Sequence, residues 1–265
     1  MHYYEHKTRR PIEGFFLTGD WHVGSVTSDR ALLEADLAAV RSLDIPVILM
    51  GDPADLVLPK DRRFDPRLLS VECLKDLDNV AAMQTDMVVS LLDGHKVPIV
   101  IRGNHEDTVR LRDSYDSARE IATRVGATVC GYTAVLKVFG YKILLTHGSG
   151  GAQMLGSYVQ KAEKLAARFD EIDCVVMGHL HARFIGETVR MREEGARTLL
   201  LIGSGTYYRR YGVGQDCWTE KQTLRPTSLG SILLIAHPQS GLHAELFDHR
   251  KVKMYRRLLK PRWWD

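Results

Sequence analysis

What this sequence lacks narrows it first. Its four cysteines, Cys73, Cys130, Cys174 and Cys217, are scattered and form no CxxC pair. In a chain of 265 residues that number and spacing argue against a disulfide framework and read as reduced thiols. No apolar run approaches the roughly 20 residues that span a membrane, and the opening MHYYEHKTRRP has no signal-peptide core. A cytoplasmic protein with no membrane partner is therefore expected. Excess charge is lacking too: a net charge of +3 selects no class of partner. There is no internal repeat, low-complexity segment or linker. The remaining composition, 45% hydrophobic and 26% charged, is that of a soluble globular chain, and its length suits one core. A single domain over 1–265 is expected.

What is present is a series of short apolar strands that end in Gly, Asp, Asn or His. Phe15–Thr18 ends at Gly19-Asp20, Pro46–Met50 at Gly51-Asp52, and Val97–Ile101 runs into Gly103-Asn104-His105. Between them, Ser28–Ser42 has helical spacing with Ser28 as a candidate N-cap, and Pro66–Leu92 reads as a long, mostly helical stretch. Helices are also expected at Ser114–Arg124 and Ser157–Phe169. Ala134–Phe139 and Lys142–Thr146 form a predicted hairpin ending at His147, and Cys174–Met177 ends at Gly178-His179. Further strands are predicted at Ile185–Arg192, Arg197–Ile202, Ser231–Ala236 and His243–Phe247. A βαβαβ start and a strand-rich second half predict an α/β fold: two mixed β-sheets face to face, with helices on both outer sides. Polar residues just past strand ends lie where open α/β sheets place ligands.

Five such clusters recur: Asp20-Trp21-His22, Gly51-Asp52-Pro53-Ala54-Asp55, Gly103-Asn104-His105-Glu106, His147, and Gly178-His179-Leu180-His181. In an extended segment residues i and i+2 share a side, so Asp20/His22 and His179/His181 can each act as a pincer. Imidazole and carboxylate donors suit Mn, Fe, Co, Ni and Zn. Taken singly, Asp20 or Asp52 reads as a turn former and His147 as a hydrogen-bonded polar residue. The joint pattern carries the metal reading.

The five blocks resemble the pattern of the calcineurin-like metallophosphoesterase family: DxH, GDxxD, GNH[DE], a lone His, and GHxH, in that order from Asp20 to His181. The wording THGSGGAQMLGSYVQKAEKLAARF and GHLHARF is similar to phosphoesterases of bacteriophages and prophages. The resemblance implies two divalent metal ions, Mn foremost, with Fe, Ni, Co or Zn as alternatives. It implies that Asp20, His22 and His181 bind one, that Asn104, His147 and His179 bind the other, and that Asp52 bridges them. It further implies in-line attack on a phosphate ester by a hydroxide held between the metals. His105 would face the leaving group as acid or hydrogen-bond donor, and Asp55 would pair with His105 and favour its imidazolium. Glu106 reads as a supporting carboxylate and Trp21 as core or pocket wall.

The substrate class is left open. A phosphodiester of nucleic acid or a cyclic nucleotide is expected first, and a phosphomonoester of a nucleotide or phosphoprotein second. A non-catalytic binding module on the same fold usually lacks some of these residues; this chain lacks none. Tyr207, Arg209 and Arg210, in the loop after a predicted strand, are candidate substrate contacts. The tail Arg250–Asp265, with seven basic residues and Trp263-Trp264, is expected to dock on the body, with nucleic-acid binding as the alternative. Oligomeric state is not legible.

Overall fold

Alternation along the strands decides the architecture. In β2 (Glu13–Thr18), Phe15 and Leu17 point one way and Phe16 the other, and all are fully buried. A strand buried on both faces must lie between two apolar layers. We describe a computed structural model over residues 1–152, 154–193, 195–212, 214 and 217–260. The elements run β1 (His2–Glu5), β2, α1 (Arg30–Leu43), β3 (Val47–Leu49), α2 (Val80–Leu92), β4 (Ile99–Val100), α3 (Asn104–Asp113), α4 (Ser117–Val125), β5 (Thr128–Val129), β6 (Thr133–Val138) and β7 (Tyr141–Thr146). They continue with α5 (Leu155–Ala166), β8 (Cys174–Met177), β9 (Arg183–Arg192), β10 (Gly195–Ser204), α6 (Trp218–Lys221), β11 (Ile232–His237), β12 (Gly241–Leu246) and α7 (Val252–Leu258).

The strands form two six-stranded mixed sheets, β1-β6-β7-β8-β10-β9 and β12-β11-β2-β3-β4-β5. Phe15, Leu17, Ile48 and Ile99 of the second sheet meet Leu136, Leu145, Val176 and Ile202 of the first in one core. Phe16, Val47, Leu49 and Val100 face outward under α1, α2 and α4, while Leu144, Val175 and Leu201 face outward under α5. The fold is the helix–sheet–sheet–helix sandwich that the strand pattern predicts.

Two parallel triplets position the site. Strands β2, β3 and β4 run parallel in one sheet, and β7, β8 and β10 run parallel in the other. Their C-terminal ends release the segments that begin at Asp20, Asp52, Asn104, His147, His179 and Gly205. Each polar cluster therefore leaves its strand on one edge of the sandwich.

Several elements differ from expectation. Pro66–Leu92 is not one helix: only α2 is α-helical, preceded by two 3-10 turns. Asp65 caps the first turn, and Asp76 accepts from Asp78 N and Asn79 N, competing with helix propagation. Asp29, not Ser28, caps α1 by accepting from Leu32 N at 3.2 Å; the Ser28 hydroxyl donates to the Trp21 carbonyl. The helix α3 begins at Asn104 itself. In the basic segment, α7 packs on the body: Tyr255 is fully buried and stacks on Phe247. Trp263 and Trp264 lie outside the described residues.

Candidate metal centre

The backbone is unusual where the sequence placed its ligands. Asp20, His22, Asp52, His179 and His181 all have positive φ, between 49° and 64°. For residues with a side chain this left-handed region costs roughly 1–3 kcal/mol each and is kept where surrounding structure enforces it. The enforcement is visible. Asp20 N donates to the Gly51 carbonyl at 2.9 Å, His22 N to the Asp52 carbonyl at 3.2 Å, and Tyr207 N to the Asp20 carbonyl at 3.1 Å. Space is just as constrained. A Cβ on Gly103 would lie 2.0 Å from Asp52 Oδ1, and one on Gly178 would lie 2.9 Å from the Met50 carbonyl. The missing side chains let the backbone at Gly103 and Gly178 approach Asp52 and the Met50 carbonyl closely, which explains glycine before Asn104 and His179.

The side chains converge as donor atoms do around a cation. His22 Nε2 stands 3.2 Å from His181 Nε2, and Asp20 Oδ1 stands 3.3 Å from the same nitrogen. His147 Nε2 stands 3.2 Å from Asp52 Oδ2 and 3.0 Å from Asn104 Oδ1. His179 joins Asp52 and His147 in a group whose ligand atoms all lie within 4.8 Å of one another. Asp20, His22 and His181 form a second such group, and His179 N donates to Asp20 Oδ2 at 2.9 Å, tying the two together. The structure thus brings all seven expected ligands to one place.

The outward-facing nitrogens are already committed. His147 Nδ1 donates to the Met50 carbonyl at 2.8 Å, and His22 Nδ1 donates to Asp55 Oδ1 at 3.1 Å. Neutral rings held this way turn the Nε2 lone pair inward, toward other acceptors. Lone pairs facing oxygens at such distances repel unless a proton or metal ion lies between them. In the ion-free chain the proton takes that part: burial disfavours imidazolium at His147, yet Asp52 beside it outweighs burial and pushes its pKa up to about 10. Asp20 Oδ1 and His181 Nδ1 are buried without hydrogen bonds. Convergent lone pairs, an orphaned carboxylate oxygen and a purely nitrogen and oxygen donor set fit divalent first-row metals.

Two expectations about the surrounding residues are corrected. The Asp55 carboxylate binds His22, and only its backbone carbonyl binds His105, accepting from Nδ1. The expected side-chain pair of Asp55 and His105 is absent. His105 is not favoured as imidazolium either: burial lowers its pKa, and His22 and Arg63 add to that against Asp52 and Asp55. Glu106 supports Asp52. Its Oε2 accepts from Gly103 N at 3.0 Å and from Asp52 N at 3.3 Å, and burial followed by the Asp52 charge pushes its pKa well above the usual carboxylate range.

The candidate substrate loop is also re-sorted. Tyr207 is fully buried and donates to Asp36 Oδ2 at 2.7 Å, and Arg209 pairs with Asp29. Neither lines the cavity over the ligands; Arg210 and Tyr208 do. The Tyr208 ring lies 4.8 Å from that of His22 and 5.5 Å from that of His181. Side chains at 207 and 208 go to opposite sides of the chain, so the pair Tyr-Tyr carried the signal without its parity. Arg63 was missed. Its Nη1 lies 3.2 Å from His105 Nε2 while Nε and Nη2 hold Asp61 at 3.1 and 2.9 Å. Only its place, eight residues past Asp55, could have suggested it.

No protein-family model matches the chain, and no curated protein sequence does. Among solved structures it is similar to zinc-complexed Vps29 of Entamoeba histolytica, with 13% identity and a TM-score of 0.42 over 89% of this chain and 99% of that one. It is also similar to Yfce, a phosphoesterase of E. coli, with 15% identity and a TM-score of 0.40 over 89% and 100%. A third is a conserved uncharacterized protein of Streptococcus pneumoniae TIGR4, a predicted phosphoesterase, with 14% identity and a TM-score of 0.36 over 89% and 98%.

Asp55 gives the centre its first test. Asp55→Ala removes the carboxylate that orients His22 and is expected to weaken Mn²⁺ binding by roughly 10–100-fold. Asp55→Asn, which keeps an acceptor, should lose less. Calorimetric titration of the metal-free chain measures both; equal affinity in Asp55→Ala and the parent chain would remove Asp55 from the centre.

Proposed function

We propose that the chain is a metal-dependent phosphoesterase of the calcineurin-like kind, acting by preference on phosphodiesters. The observation that carries the reading is the convergence of seven nitrogen and oxygen ligands in two linked groups at the joint edge of the two sheets. Asp20, His22 and His181 would hold one divalent ion and Asn104, His147 and His179 the other, with Asp52 between them. Such ions supply Lewis-acid stabilisation of phosphate oxygens and activation of water when bound. Manganese is our first expectation for both places.

The protein's own groups then do three things. The Met50 carbonyl and Asp55 fix the tautomers of His147 and His22. Glu106 and His105 N anchor Asp52, the latter donating to Oδ1 at 2.9 Å. His105 Nε2, with Arg63 beside it, faces the cavity as the group that meets the ester oxygen on the departing side.

The diester preference is supported by the cations. Arg63 and Arg210 are the arginines lining the cavity among the described residues. Arg210 already gives Nη1 to the Arg225 carbonyl at 3.1 Å and Nη2 to the Leu180 carbonyl at 3.2 Å. With Arg63 ion-paired to Asp61, few cationic donors are left for the extra anionic oxygen of a monoester. Metal-stripped protein should be inert toward bis-p-nitrophenyl phosphate and regain turnover with Mn²⁺, at a kcat/KM above that for p-nitrophenyl phosphate. Hydrolysis that persists in chelator would overturn the reading, and a monoester preference would overturn its diester part.

A further inference from the structure

The cavity over the ligands has a second half that the metal centre does not use. It encloses about 370 Å³, the size of a site for one small organic molecule. Beyond the ligands its wall is largely apolar, with Ser25, Asp65 and Thr219 as polar exceptions. The segment after β3 supplies Phe64, Leu68 and Leu69, and the segment after β10 supplies Trp218 and Leu224. Leu69 is buried and Phe64 half-buried, whereas Trp218 is 44% exposed. A tryptophan lining the cavity and partly open to solvent offers an aromatic surface on which a flat group can stack. Tyr208 adds a third aromatic ring, between this wall and the histidines. Arg63, adjacent in sequence to Phe64, places its cation where the apolar wall meets His105.

Chemistry along the cavity therefore changes from metal ligands, through His105 and Arg63, to aromatic faces. A ligand that satisfies all three carries a phosphate at one end and a flat, π-rich group at the other. We infer that the substrate is a small phosphodiester bearing one nucleoside, its phosphate at the ligand cluster and its base against Phe64 and Trp218. This rests on the phosphoesterase reading and names its substrate class. Sugar phosphates would leave the aromatic wall uncovered. A nucleic-acid tract is not favoured, because the enclosed space suits one nucleotide and base stacking on aromatic faces needs only one base.

Two probes of equal charge isolate the base: thymidine 5′-methylphosphate and dimethyl phosphate. Binding is measured by calorimetry and by tryptophan fluorescence, in metal-free and Mn²⁺-loaded full-length chain. The thymidine diester should bind about tenfold or more tightly than dimethyl phosphate, the range that one base stacked on an aromatic ring provides. Trp218→Ala should remove most of that preference, and Trp218→Phe should keep it. Circular dichroism of both variants checks the fold, and Phe64→Ala serves as a second, independent reporter of the same preference. Equal affinity for the two probes, or a preference untouched by both alanine variants, would overturn the inference. So would tighter binding of an oligothymidylate than of the single nucleoside diester. Hydrolysis of bis-p-nitrophenyl phosphate without nucleoside preference would defeat this inference alone; nucleoside preference without any hydrolysis would defeat the phosphoesterase reading alone.

Discussion

Asp52→Asn is expected to cost on the order of a thousandfold or more in kcat/KM, and to leave the fold intact. Losing a partner that merely orients a ligand costs roughly 10–100-fold, and Asp52 is proposed as the ligand shared by both ions. It is almost fully buried, its Oδ1 accepts from His105 N, and its Oδ2 lies 3.2 Å from His147 Nε2. Burial would raise its pKa, but His147, His105 and His22 hold it well below the usual carboxylate range, so it is charged across the working pH range. Asparagine keeps the shape and an acceptor for His105 N, and its amide can donate to His147. The ion-free fold therefore tolerates the change, while the charge that would hold two cations together is gone. Three measurements separate the outcomes: metal content by atomic emission, turnover of bis-p-nitrophenyl phosphate, and the thermal midpoint with and without Mn²⁺. The parent midpoint should rise on metal addition, since a ligand of the native state stabilises it. That of Asp52→Asn should rise much less. Two ions per chain and full turnover in the variant would remove Asp52 from the bridging role.

The proposed ligand positions were legible because strand ends and ligand-type residues coincide in the sequence. Strands β2, β3, β4, β7 and β8 each run out into a turn that carries Asp, Asn or His beside glycine. The tertiary fold had only to bring six strand ends to one edge. The sandwich was legible for a related reason: doubly buried strands such as Phe15–Thr18 demand a layer on each side. Residues proposed to contact the rest of a substrate carry no such mark. Arg63 and Phe64 belong to an irregular segment, and Trp218 opens the short helix α6, elements whose course is fixed by side-chain caps and long-range contacts. The Tyr207–Tyr208 step shows the limit of composition. Both residues are tyrosine, yet one bonds Asp36 inside the body and the other faces the histidines. Likewise α3 begins on Asn104 because Glu106, three residues past Gly103, reaches back to Gly103 N. That ties a ligand to a helix start which strand periodicity does not reveal.

The second large effect is a dependence on the leaving group. His105→Ala should slow hydrolysis of a diester that expels an alkoxide by about 10²–10⁴-fold, the contribution usual for general acid catalysis. It should slow a p-nitrophenyl diester far less, because that leaving group departs as a stabilised phenolate and needs little help from a proton. The geometry gives His105 a particular starting state. Nδ1 donates to the Asp55 carbonyl, so in the neutral ring Nε2 accepts from Arg63 Nη1 at 3.2 Å. Burial and Arg63 both act against the imidazolium. An arriving phosphate brings negative charge to that same place. It can draw Arg63 onto its own oxygens and favour a protonated His105, coupling proton loading to substrate binding. Arg63→Met then becomes the informative partner variant. If His105 acts as an acid, Arg63→Met should mainly raise KM, while His105→Ala should mainly lower kcat for the alkoxide substrate. The double variant should be less impaired than the product of the single losses, because the two groups share one hydrogen bond. An equal loss on both leaving groups in His105→Ala would assign His105 to positioning Asp52 and the phosphate, not to proton transfer.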